Sequence, residues 1–446
     1  MTRRTRLGTP ASPPARSEPK PTRTSALPDR PALTPKRRFP EFRDGTDWAE
    51  KLIGDFLEES RVRGSSGDVA RKLTVKLWGK GVFEKIESLS GSENTQYYRR
   101  KAGQFIYSKL DFLNQAFGVI PTSLDGLEST VDLPCFDISS ELHPNFLLEY
   151  VKRPSFYEKF GEIADGGRKA KRIQAESFLS FPIRVPRRFL EQQKIAECLS
   201  TLDELIGAES QKLDALKAHK KGLMQQLFPR EGETLPRLRF PEFHSAPEWE
   251  ENPFDEFVAK SFYGTSSSTA PQGQYPVLRM GNMADGRLDF TTLVYIDLDR
   301  ESFESFRLED GDILLNRTNS PALVGKISLF RLKSECLTAS YIVTYRLKKQ
   351  RLDPSFCNFM LNTPLYQAKI KSLAKPSISQ ANINPTTFRK ELVVSVPAFP
   401  EQLRIATCLS SLDDLIAAQS DRLAALQTHK QGLLQQLFPS PEAATT

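Results

Sequence analysis

Apolar side chains recur three and four positions apart at Leu199, Leu202, Ile206, Leu213, Leu216, Leu223 and Leu227, with Glu209 and Lys220 standing where the series calls for two more. That spacing holds one stripe on one side of a helix and is the pattern of a heptad seam. The series returns at Leu409, Leu412, Ile416, Leu423, Leu426, Leu433 and Leu437, interrupted by Gln419 and Lys430 at the equivalent places. Pro400 suits the first turn of the second helix, where a missing N–H costs nothing, and Phe228-Pro229 and Phe438-Pro439 stop the two helices. At 1.5 Å per residue, about 33 residues make a rod of about 50 Å. Two rods with one apolar stripe each bury those stripes most simply against each other, and the globular chain between them, which must lead back, makes the pairing antiparallel with a pseudo-two-fold axis. Leu202, Ile206, Leu213 and Leu216 with Leu412, Ile416, Leu423 and Leu426 then form the core of the seam. A polar seam residue sets register, and a slip of about half a heptad puts Glu209 opposite Lys430; the alternative is a seam that opens to solvent there.

The two rods are copies. Residues 191–229 and 401–439 are identical at 25 of 39 positions without a gap. A shorter echo, RRFPEF at 37–42 and RLRFPEF at 237–243, stands ahead of Trp48 and Trp249. The chain is therefore one plan used twice. It divides into a tail at 1–36, globular segments at 37–190 and 230–396, rods at 191–229 and 397–439, and a last short tail at 440–446.

Charge changes less than it promises. The net +7 over 446 residues suggests a polyanionic partner, but residues 1–36 hold eight Lys or Arg against Glu18 and Asp29, so this stretch carries +6 of it. With eight prolines and almost nothing bulky and apolar, that tail is expected to be disordered. The five scattered cysteines include no CxxC pair, which speaks against a disulfide framework or a zinc knuckle. No apolar run of eighteen residues occurs, which points to a soluble, cytoplasmic chain.

Catalytic motifs are missing. The fragment around Gly325-Lys326 lacks the first glycine and the hydroxyl of a phosphate-binding loop. There is no amino-methyltransferase signature and no glycine-rich turn suited to an adenosyl cofactor. Neither His143 nor His244 lies in a metal-binding pattern, and His219 and His429 are surface helix residues. Cations and amides that could meet nucleic acid do occur, at matching places in the two halves. A glycine and an apolar strand lead to Ser108-Lys109 in the first and to Asn316-Arg317 in the second, followed there by Thr318 and Asn319. Arg99, Arg100 and Lys101 precede the first of these strands. Before the rods stand Arg168, Lys169, Lys171 and Arg172 in one half, a candidate phosphate clamp, and Gln380, Asn382 and Asn384 in the other, amides suited to adenine edges. For each, the plain alternative is a solvated side chain.

The rods ending QQLFP, each begun by EQ-x-x-IA-x-CLS, together with GDILLNRTNSPALVGK (311–326), TASYIV (338–343), QANIN (380–384), SENTQYYRRKAGQFIYSKLDFLNQAFG (92–118) and LEST (127–130), resemble the specificity subunits of type I restriction-modification enzymes. The resemblance covers residues 37–439 and leaves out only the proline-rich tail. It implies an α+β chain in which two α/β target-recognition domains are joined by two long antiparallel coiled-coil helices. Each domain would read one half of an asymmetric, bipartite DNA site through the major groove, with the helices setting the spacing. It also implies a non-catalytic chain that binds no cofactor, the chemistry belonging to partners: two methyltransferase subunits using S-adenosylmethionine and two restriction subunits using ATP and Mg. A stand-alone sequence-specific DNA-binding protein is the alternative.

Overall fold

The structure is a computed structural model and describes residues 34–86, 92–162, 172–321, 323–331, 335–376 and 380–440. Most of both tails, and Arg168, Lys169 and Lys171, lie outside the described residues. Two compact units divide the chain, residues 1–202 with 428–446 and residues 203–427, so the division falls inside the long helices.

In the first unit the apolar run Phe105–Tyr107 is buried on both faces and forms a central strand, as a continuous apolar run should. The antiparallel sheet runs Leu57–Glu59, Cys135–Ile138, Phe105–Tyr107, Phe117–Val119. The second unit repeats the order with Val258–Tyr263, Ile342–Leu347, Ile313–Asn316 and Ile327–Leu329. Each central strand is approached through a glycine in left-handed backbone, Gly103 at φ 85° and Gly311 at φ 89°, a conformation that costs a side-chain-bearing residue more. Helices Pro144–Val151, Pro154–Gly161 and Ala175–Leu179 follow in the first unit, and Pro354–Leu361, Pro364–Ser372 and Pro385–Glu391 in the second. Each set ends in a strand, Pro182–Val185 or Val393–Val396, paired with the segment just after the Trp. What differs is peripheral: a hairpin, Leu73–Lys76 with Gly81–Glu84, in the first unit, and a mixed three-stranded sheet with helix Arg300–Phe306 in the second.

The long helices run Phe189–Leu227 and Phe399–Leu437. Within the second unit Glu209 meets Gln419 and Lys220 meets Asp413, so one number rises as the other falls and the helices are antiparallel. The Gln419 amide donates to the Glu209 carboxylate at 2.6 Å and to its backbone carbonyl at 3.0 Å, and Arg422 lies 2.7 Å from the same carboxylate. Equivalent positions of the repeat thus face each other. The expected Glu209–Lys430 pairing does not form: Lys430 is 3.0 Å from Glu149 in the first unit. Leu213 is 8% exposed, and Leu202, Ile206, Leu216, Leu412, Ile416, Leu423 and Leu426 are half-buried, while Leu205 and Leu415 off the stripe are open. Leu213→Asp is expected to cost roughly 2–3 kcal/mol by placing a carboxylate without a partner in the seam. Thermal melting checks this, and an unaltered Tm would contradict the buried seam.

The short echoes turn out to be junctions. Arg38 of the first FPEF motif donates to Glu191 at the start of the first long helix at 2.7 and 2.5 Å; Arg239 does the same to Glu401 at 2.8 and 2.7 Å. The neighbouring Gln192 amide donates to the carbonyls of Glu141 and Pro186 and accepts from the His143 N–H. Gln402 repeats this with Arg351, Pro397 and Asp353. The EQ dipeptide therefore bonds each long helix to the globular segment before it. No helix among the described residues is long and apolar enough to cross a membrane.

Candidate nucleic-acid interface

Strand Ile313–Asn316 delivers Arg317 into a peptide held from both sides. The Arg317 N–H donates to the Tyr341 carbonyl at 3.1 Å, and its carbonyl accepts from the Ile383 N–H at 2.8 Å. The next two residues, Thr318–Asn319, pair antiparallel with Ala381 and Asn382, which pair in turn with Ala374–Pro376. The Thr318 hydroxyl donates to the Asn382 amide oxygen at 2.6 Å, and Asn382 is half-buried. The Arg317 guanidinium lies 5.3 Å from the ring centre of Tyr263, which is 49% exposed, and its buried Nε has no acceptor among the described residues. Two segments more than sixty residues apart thus bring Arg317, Thr318, Asn319 and Asn382 onto one small sheet, with Gln380 exposed beside them and Lys375 in register with Asn382. Asn319 also donates to the Met280 sulfur at 3.1 Å.

Two of the expected contacts in this unit have other work. Asn316 is 0% exposed and turns its amide toward the Leu323 carbonyl at 3.5 Å, so it cannot reach a duplex. Asn384 caps helix Pro385–Glu391, accepting from the N–H groups of Thr386 and Thr387 at 2.9 and 3.1 Å, the usual use of an asparagine at that position.

The first unit repeats the clamp. The Lys109 N–H donates to the Asp132 carbonyl and its own carbonyl accepts from the Ile173 N–H, both at 3.0 Å, so half-buried Lys109 stands where Arg317 stands. Exposed Arg172 is next to Ile173, and Arg99 and Lys101 are exposed near the start of the central strand. Arg100 between them is not a surface cation. It is 2% exposed and donates to the Ser129 hydroxyl at 2.8 Å and to the carbonyls of Ser60 and Leu133 at 2.7 and 3.3 Å. Burial pushes its pKa down. It is a structural bolt, because alternation on strand Gln96–Arg99 sends its neighbour outward and the turn that follows sends Arg100 in. Ser108 is likewise buried, donating to the Asp111 carboxylate at 3.1 Å and accepting from the Asp111 N–H.

The role of Tyr263 and Lys375 had no local signal. Tyr263 is 54 positions before Arg317, and only the strand pairing Val258–Tyr263 with Ile342–Leu347 brings it near. Among the described residues no three His, Cys, Asp or Glu side chains converge as metal ligands do. The second unit therefore offers a guanidinium, a hydroxyl and amides on a rigid edge, a set able to pair with base edges. The first offers mainly cations, suited to phosphates.

The family model for the type I restriction modification DNA specificity domain matches residues 248–428. The chain is 31% identical over 166 residues to a putative type I restriction enzyme specificity subunit, MjaX, of Methanocaldococcus jannaschii, which is 37% of this chain and 39% of that protein. To the EcoKI specificity subunit of Escherichia coli it is 22% identical over 304 residues, 66% of this chain and 64% of the relative. The matches thus span from about two fifths to just under two thirds of the relatives' own length. The crystal structure of a type I restriction-modification S subunit from M. genitalium shares the fold with a TM-score of 0.58 at 13% identity, covering 91% of this chain and 99% of that one.

Proposed function

We propose, from the premise that the chain belongs to the specificity subunits of type I restriction-modification systems, that it is the non-catalytic chain through which such a system chooses its DNA sequence. Each unit reads one half of an asymmetric site, and the long helices set the gap and carry the methyltransferase partners. S-adenosylmethionine, ATP and Mg belong to those partners and to the restriction subunits, two of each, and the assembly works in the cytoplasm. The observation that supports the reading best is the bonded edge of Thr318 and Asn382 beside Arg317, which converges the side chains that discriminate guanine and adenine in the major groove. That the matching edge in the first unit carries Lys109 and Arg172 instead supports two different half-sites.

Arg317→Ala is expected to cost about 1–3 kcal/mol of affinity for the target duplex and to relax base choice at one position. Lys109→Ala should weaken binding to all duplexes alike and lower the salt dependence by about one ion. Binding of the chain with its methyltransferase partner to duplexes substituted at each position, at fixed salt, checks both. Unchanged binding in Arg317→Ala would remove the proposed reading head.

A further inference from the structure

The edge that carries Arg317 is tied to a turn from a distant part of the second unit. The Asn319 amide donates to the Met280 sulfur at 3.1 Å, and its oxygen accepts from the Ser320 N–H at 2.8 Å. Both ends of this side chain thus join the edge to the turn Met280–Asn282. Asn282 fixes the turn in its own unit, accepting from the Arg279 N–H at 2.8 Å and donating to the carbonyls of Asp289 and Thr292 at 2.9 and 3.0 Å. Tyr341 makes a second tie. Its carbonyl accepts from the Arg317 N–H, while its hydroxyl, pushed up in pKa by burial, lies within reach of the Met280 backbone and of the Arg279 charge. Arg279 therefore stands beside the edge that presents Arg317.

Two residues of this turn are not explained by the fold. Arg279 is exposed, and among the described residues no carboxylate pairs with it. Gly281 is exposed as well. A glycine is needed where the backbone is left-handed, where a neighbour leaves no room for a Cβ, or where a ligand comes close to the main chain. The first reason fails, because Gly281 is not among the residues with positive φ. The second fails too, because a Cβ at Gly281 would meet no atom within 4 Å. Among the described glycines outside the long helices, Gly281 alone lacks both reasons. The third is left.

The two arginines are held differently. Arg317 has its peptide bonded on both sides and its guanidinium beside the Tyr263 ring, a fixed direction that suits a base edge. Arg279 extends from an open turn, and a phosphate, which accepts from many directions, asks for no such fixing. We infer that the Arg279–Met280–Gly281 turn holds a backbone phosphate of the duplex beside the base read by Arg317, with Arg279 as its cation and Gly281 leaving room for it. The inference rests on the DNA-reading proposal for the second unit.

The test is binding of duplexes by the full chain with its methyltransferase partner over a range of salt. Arg279→Ala should lower the slope of log affinity against log salt by about 0.9 and weaken binding roughly eightfold at about 0.1 M salt. The loss should be equal on the target and on a duplex changed at the base that Arg317 reads. Arg279→Lys should restore most of it, since a phosphate needs only the charge, whereas Arg317→Lys should not restore base choice, which needs the planar fork. Gly281→Ala adds a methyl that touches nothing in the protein, so it should melt no lower than the unaltered chain and yet bind duplex about fivefold or more weakly, the lower range for a methyl placed where there is no room. An unchanged salt slope or an altered base preference in Arg279→Ala, or unchanged binding in Gly281→Ala, would overturn the inference. If Arg317→Ala relaxes one base while both turn variants bind normally, the reading head stands and the phosphate contact falls; if the unaltered chain prefers no duplex, both fall.

Discussion

Glu191→Ala is expected to lower the unfolding free energy by about 3–5 kcal/mol, the cost of removing one partner from a buried ion pair. Glu191 is buried and its carboxylate takes two hydrogen bonds from Arg38, at 2.7 and 2.5 Å, with the Trp48 indole N–H at 3.4 Å. Without it a guanidinium that is nearly closed off from solvent keeps, among the described residues, hydrogen bonds to the backbone carbonyl of Gly45 at 3.0 Å and that of Thr46 at 3.4 Å. Glu401→Ala should cost about as much, because Arg239 sits in the same geometry in the other half. Replacing both partners, Arg38→Met with Glu191→Leu, should recover most of the loss, since an apolar pair of similar size leaves nothing charged behind. Denaturant unfolding reads all three. A loss below about 1 kcal/mol for Glu191→Ala would place the pair in the class of exposed bridges and contradict the junction described above.

Phe438→Ala should cost a comparable 3–5 kcal/mol, as a large aromatic removed from a closed core usually does. Phe438 ends the second long helix with its ring 5.4 Å from Phe146, 5.7 Å from Tyr150 and 6.1 Å from Trp48, and it is 1% exposed. The cluster is what attaches the end of that helix to the first unit. Phe228 repeats the arrangement in the second unit, 5.4 Å from Phe356 and 6.2 Å from Trp249, so Phe228→Ala is expected to match it. The FP that stops each helix in the sequence is thus also its anchor. A loss near that of a surface substitution, under about 0.5 kcal/mol, would show that the helix ends are not held in this way.

The long helices and the twofold use of one plan were legible because both are local or self-similar signals: a spacing of three and four, and an alignment of the chain with itself. The matching placement of Lys109 and Arg317 was legible for the same reason, through the shared glycine and apolar strand, whereas the backbone bonds that clamp them come from distant segments. What failed did so where burial decides. Arg100 and Asn316 were read as contacts because charged and amide side chains usually face water, and nothing near them in sequence announces that Ser60, Ser129 and Leu133, or Leu323, will close over them. Pairing Glu209 with Lys430 needs a slip of about half a heptad, whereas the helices bring equivalent positions together and the partner is Gln419. The closeness of Thr318 to Asn382 and of Arg317 to Tyr263 depends on strand pairing across long loops, which no short window contains.

The central claim is that the two units read two different half-sites for a chemistry carried out by partner chains. It is tested most directly by co-expressing the chain with its methyltransferase partner and mapping N6-methyladenine across the host genome. The account predicts one split, asymmetric motif with a fixed gap, absent without this chain and altered in only one half by Arg317→Ala. Methylation that does not depend on the chain, or that marks a single unbroken motif, would contradict it.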